Sequence, residues 1–443
     1  MDDETSSQTK RIWTYGMVLV SIVAIAVVAL GLLLPRSEPE LTTAPTTSSE
    51  AADPAVPYQP DIVDEPIDLN APIPGCDVVE PPGELTSTAS ISSSDPSYDN
   101  PKFPWFSGPK ATAMSNAVAE LLPSGAEVAF ASPEQSLVFQ PITDYSESTP
   151  DPPNGSTYAN GSVTNGKAKG GLYVTAQQTT VPVPACVAGS VDERRTLPDG
   201  VVVDVQDTWT EVDGVRTLSR SARSYVPDGS WISAGANDAS GPTRDENSGT
   251  VPLSIEELVR IVTDPRLRVS TPVPPGTPAP SDGCRRSFDA SGPNITRAQA
   301  HKLDAVLATV DLGGAKLNPL QLARHSENEL CAGTPDATPT AGLDISIMGG
   351  QSLPVEKRPE PGSGNEDTFR RLGDGTVVQT SQRYNSSSST GDPSQATRET
   401  VRSVVVTRPG GTQVSVSSSA PTPNETLSPE KLESIALTPG LEL

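Results

Sequence analysis

Few residues in this chain have the types and spacing that do chemistry. Cysteines stand at 76, 186, 284 and 331, and the only histidines are His301 and His325. Ser-x-x-Lys occurs at Ser107 to Lys110 and again at Ser428 to Lys431. That tetrad supplies a nucleophile and a base in penicillin-binding enzymes, but their Ser-Asp-Asn and Lys-Thr-Gly partners are absent here. Both tetrads therefore read as chance, and Ser428 as a helix cap. There is no Gly-x-Ser-x-Gly, His-Glu-x-x-His or phosphate loop. The oxygen-rich stretch from Asn237-Asp238 to Asp245-Glu246-Asn247 lacks the spacing of a calcium loop and reads as a solvated acidic turn. No catalytic, cofactor-binding or metal-ligating set emerges.

The cysteines carry more information. None are spaced Cys-x-x-Cys, which removes the usual zinc and redox motifs. An even count in an exported chain reads as disulfides. Duplication of the chain, argued below, favours Cys76–Cys186 and Cys284–Cys331. The aromatic candidates for binding are Trp209 and Tyr384, at equivalent points of the duplication, and Tyr225 and Trp231, which flank the Asp228-Gly229 turn. Such rings either anchor a partner or finish a core.

The duplication links Leu197–Leu267 with Leu372–Leu441. Leu253, Ser254, Glu256, Leu258, Ile261, Pro265 and Leu267 match Leu427, Ser428, Glu430, Leu432, Ile435, Pro439 and Leu441 without a gap. Asp199-Gly200 matches Asp374-Gly375, and Asp228-Gly229 matches Gly410-Gly411; each pair fits a tight turn. Between them Val201, Val203 and Val205, and Val404 and Val406, alternate as strands do. Leu258, Ile261 and Val262 share one helix face after a Ser254–Glu257 capping box. Each half thus reads as a helix, an antiparallel sheet and a closing helix, an α+β layer. In element order this resembles a cystatin-type wrapped sheet.

Helices are expected from Ala111 to Leu122, with Thr112 as cap, and after Thr296, with Gln299 completing its box. The stretch from Ser148 to Gly170 is too rich in Gly, Asn and Pro to be read as regular structure.

Of 443 residues, 35% are hydrophobic and 46 are prolines, so much of the chain reads as linker. The formal charge of −24 argues against nucleic acid as a partner. Ile12 to Leu34 holds no charge and has the length of a membrane span, with Trp13 and Tyr15 at one end. It is too long for a signal h-region and reads as an uncleaved signal-anchor. Lys10 and Arg11 against Arg36 place the N-terminus inside.

The expected plan is a cytoplasmic tail (1–11), a transmembrane helix (12–34), a disordered Pro/Thr/Ser-rich stalk (35–74), one extracytoplasmic module (75–270), a Pro-rich linker (271–283) and a second module (284–443). The functional expectation is a single-pass cell-membrane protein with tandem non-catalytic modules that bind an envelope protein or wall polymer. A sensor or regulator acting through the membrane helix, and an extracytoplasmic hydrolase using scattered carboxylates, are the alternatives.

Overall fold

The computed structural model describes residues 60–83, 97–142, 155–239, 247–280, 292–334, 342–356, 367–387 and 397–443. The expected tail and membrane span lie outside the described residues, and among those described no helix is long and apolar enough to cross a membrane.

Apolar alternation and glycine turns fix the first module. Its elements are β1 (Ile62–Asp64), β2 (Val79–Glu80), α1 (Gly108–Leu121), β3 (Ala126–Val128), β4 (Ser156–Asn165), β5 (Ala168–Gln178), β6 (Cys186–Val187), β7 (Glu193–Thr196), β8 (Val202–Val212), β9 (Val215–Tyr225), β10 (Ser230–Asn237) and α2 (Ile255–Thr263). The main sheet runs β1-β8-β9-β10-β5-β4-β3, with β7 also on β8, and all its pairings are antiparallel. Helices α1 and α2 pack on one face. Met114 and Val118 from α1, and Leu258, Ile261 and Val262 from α2, meet Val203, Val174, Ile232 and Leu172 in a single core. Ser254 and Glu257 form the expected capping box. Burying each such side chain is worth roughly 1.5–3 kcal/mol, which holds a helix too short to persist alone.

The second module repeats this plan with α3 (Arg297–Leu307), β11 (Gln321–Leu322), β12 (Glu329–Gly333), β13 (Gly342–Met348), β14 (Thr368–Arg371), β15 (Val377–Ser387), β16 (Thr397–Thr407), β17 (Gln413–Pro421) and α4 (Pro429–Ala436). Its sheet order is β11-β12-β13-β17-β16-β15-β14. Read from the other end, it matches β7-β8-β9-β10-β5-β4-β3 strand for strand. The likeness therefore extends past the stretch that the sequence marked to the whole second sheet and to all of the first but β1. Turn glycines agree as well: φ is +82° at Gly200 and +88° at Gly375, +85° at Gly229 and +86° at Gly411.

Three expectations need correction. Thr112 does not cap α1; Ser107 does, accepting from the Lys110 N–H, and Pro109 sits in the first turn where its missing N–H costs nothing. Residues 156–170, most of the stretch read as irregular, belong to the hairpin β4–β5, whose second strand runs on to Gln178. Gly166 alone takes positive φ (+62°) in its two-residue loop, the pattern of a type II′ turn. Thr157, Ala159 and Val163 face the core between polar neighbours, so small residues hid the alternation. The stalk, expected to reach residue 74, gives way to sheet at Ile62: β1 pairs with Thr210–Val212 on β8. Ile62 and Val63 stay exposed, so β1 is held by its backbone and carries no apolar signal.

Residues Pro60–Leu443 form one compact unit. The described part of the linker, 271–280, returns along α1, where the Ala279 side chain crowds Gly108. The halves also touch directly. Arg324 pairs with Glu134, Arg297 donates to the Val128 carbonyl (3.0 Å), and Phe130 packs against the second core.

Candidate functional site

The residues singled out for chemistry take structural places. Cys76 and Cys186 form the expected disulfide, which ties the segment before β2 to the start of β6. Cys331 is disulfide-bonded, and Cys284 lies outside the described residues. His301 and His325 are both exposed. Ser107 and Ser428 cap helices by accepting from the backbone N–H of Lys110 and Lys431. At the acidic turn, Asp238 is buried and accepts from the Leu218 N–H at 2.9 Å, and Asn237 accepts from Gly171. Residues 240–246 of that turn lie outside the described residues. Among those described, no group of carboxylates, histidines and cysteines is placed to hold a metal.

A cleft of about 260 Å³ opens beside the disulfide, between residues 65–73, residues 188–192 and β8. Glu65, Asp68, Asp192 and Asp207 line it with Ile67 and Ile73. Two of these carboxylates already have structural work. Asp192 accepts the Asp207 N–H at 2.6 Å, and Asp207 pairs with Arg220 at 2.9 Å. The cleft therefore reads as the brace that holds the disulfide-linked segment on β8.

The other site is the sheet face opposite the helices. Period two sends alternate side chains to that face, and ladder registers arrange them in rows. One row reads Tyr225, Trp231, Gln177; the next Arg223, Ser233, Thr175, Tyr158; the third Ser221, Gly235, Tyr173, Asn160. No described helix packs here, since the core contacts of α1 and α2 are all on the other face. Tyr158 and Tyr173 are 41% and 42% exposed, high for tyrosine in mid-sheet.

Local chemistry organises these rings. The Trp231 indole N–H donates to the Tyr225 hydroxyl. Burial, and then the charge of Asp204, push the Tyr225 hydroxyl above its ordinary pKa against that bond and Arg223. Asp204 is itself held by a two-pronged bond from Arg194, at 2.6 and 2.7 Å. At Gly235 an added Cβ would lie 2.2 Å from both Cζ and Oη of Tyr173. The ring thus leans across β10 with its hydroxyl end over Gly235, where no other residue type would admit it.

Of the four aromatics that the sequence nominated, the structure brings together Tyr225 and Trp231. Trp209 lies opposite Leu218, on the side that faces the helices, with the Arg216 guanidinium 3.8 Å above its ring. Tyr384 holds the equivalent place on β15 and is exposed. Tyr158 and Tyr173 were missed. Their signal was present: Leu172, Val174 and Ala176 point inward, so Tyr173 must point out. In the second module the places of Tyr225 and Trp231 are taken by Thr407 and Gln413, whose side chains bond each other at 3.0 Å. The aromatic face belongs to the first module alone.

No family model and no curated protein matches this chain. Among solved structures it is similar to MucB in complex with MucA(peri), at 9% identity over 74% of this chain and 97% of that one, with a TM-score of 0.12. It is also similar to the di-domain ARO/CYC StfQ from the steffimycin biosynthetic pathway, at 12% identity over 75% and 86% of the two chains, with a TM-score of 0.11. Likeness at that level carries no argument about function.

Proposed function

We propose that this chain is a single-pass membrane-anchored extracytoplasmic protein whose two modules bind an envelope protein or wall polymer without catalysis. The observation that carries the reading is the aromatic face of the first sheet, on which no described helix packs, since exposed rings on a rigid sheet are typical binding anchors. The uncharged run Ile12–Leu34 supports the anchor. The Cys76–Cys186 disulfide supports an oxidising compartment and hence an outward C-terminal region.

Immobilised residues 60–443 tested against envelope extract should retain one discrete component, and Trp231→Ala should lose it while keeping its melting temperature. Retention of nothing, or equal retention by the variant, removes this reading.

A further inference from the structure

We propose that the face of the first sheet opposite its helices is a binding site for a neutral polysaccharide strand, an assignment that rests on the binding reading above. The first argument is charge. Across β4, β5, β9 and β10 this face carries no Asp or Glu, in a chain with 55 acidic residues and a net charge of −24. Its only cations are Lys169, at the β4–β5 turn, and Arg223. A ligand is therefore not repelled at the face, while a polyanion would be repelled by the molecule as a whole.

The second argument is chemical composition. Tyr158, Tyr173, Tyr225 and Trp231 are the rings, and hydroxyls and amides fill most other positions. The only aliphatic side chain on this face of those four strands is Val215, at the β8–β9 turn. On these four strands the rings are the only large apolar groups, and they are spread among polar side chains instead of forming the continuous apolar centre of a protein interface. A sugar ring has an apolar C–H face bordered by hydroxyls. Aromatic rings take the face, and Thr175, Gln177 and Arg223 offer donors and acceptors to the rim.

The third argument is spacing. Tyr225 and Trp231 form one aromatic pair, and Tyr158 and Tyr173 another, one to two rows along and one to three strands across. Strand geometry puts the pair centres roughly 14 Å apart, far enough for successive sugars to lie between two stacking platforms. Tyr173, laid over Gly235, offers its outer ring face as one platform.

Chitohexaose and cellohexaose are the probes, titrated calorimetrically into the full chain in a non-glycosidic detergent. At least one should bind saturably. Tyr173→Ala and Trp231→Ala should each weaken binding about three- to ten-fold, with Tyr173→Phe close to wild type and all melting temperatures unchanged. Gly235→Ala, which displaces the Tyr173 ring without removing it, should weaken binding like Tyr173→Ala. No saturable binding of either probe, affinity that is indifferent to both rings, or binding of a hyaluronan hexasaccharide alone would overturn the assignment. If the probes fail while envelope capture still depends on Trp231, the ligand class falls and the binding face stands. If both fail, both readings fall.

Discussion

Lys110 shows how a residue that resembles a catalytic base can have structural work instead. It is 2% exposed, and its Nζ donates to the carbonyls of Arg268 (2.7 Å) and Thr271 (2.6 Å), just past the short helical turn Pro265–Leu267. In the second module Arg408 does the matching job, donating to Ala436, Thr438 and Leu441. Each copy thus ties down the chain after its closing helix with a cation drawn from a different element. Burial lowers the Lys110 pKa to about 8, against the pull of Asp228. Between that value and the ordinary 10.5 the unfolded chain keeps the proton that the folded chain has lost, so stability should rise with pH. From pH 8 to 9.5 the gain in unfolding free energy should be about 1–2 kcal/mol. Lys110→Met should abolish it in urea titrations at the two pH values. A wild-type curve that is flat over this window would mean that the carbonyls hold the lysine charged.

At the scale of elements, the closing helices were the most legible part of the sequence, and their packing is correspondingly similar in the two copies. Leu258 and Leu432 are equivalent and both fully buried. Leu258→Ala and Leu432→Ala should each cost about 2–5 kcal/mol, with costs within about 1 kcal/mol of each other if the two cores collapse alike; denaturant midpoints of the single variants decide this. What made these helices legible is that a serine cap and a three-residue apolar stripe are local and strong. Strand β4 was not legible, because its inward positions are Thr, Ala, Gly and Val and its outward ones mostly polar, so composition suggested loop. Asn165-Gly166 was the available signal. β1 gave no signal at all: a strand added by backbone bonds, such as the Asp213 N–H to the Asp61 carbonyl at 2.8 Å, needs no apolar residues. The aromatic face was half legible. Tyr225 and Trp231 flank a visible turn and Tyr173 follows from the alternation of Leu172, Val174 and Ala176, whereas Tyr158 emerges only once β4 is known to be a strand.

For the molecule as a whole, the sequence could not tell whether the halves pack or swing. The contact they make is built from side chains far apart in sequence: Glu134 with Arg324, Val128 and Phe130 with Arg297, whose guanidinium lies 5.5 Å from the Phe130 ring centroid. Burial raises the Glu134 carboxyl, but bonds from Arg324 and its own loop outweigh it and leave it below the ordinary value. That contribution is present above pH 4.5 and is lost as pH falls through the folded value. Arg324 is 39% exposed, so solvent screens the pair, which is worth about 1 kcal/mol at most. Phe130 adds apolar burial against the second core. The contact is therefore strong enough to align the halves and weak enough to be removed. Calorimetry of residues 60–443 at pH 7 should give one transition. Arg297→Ala with Arg324→Ala should split it in two, because each core then melts on its own. Lowering the pH of the wild type through the folded Glu134 value should move it toward the same split. A double variant that still melts as one would show that the linker along α1, and not the side-chain contact, couples the halves.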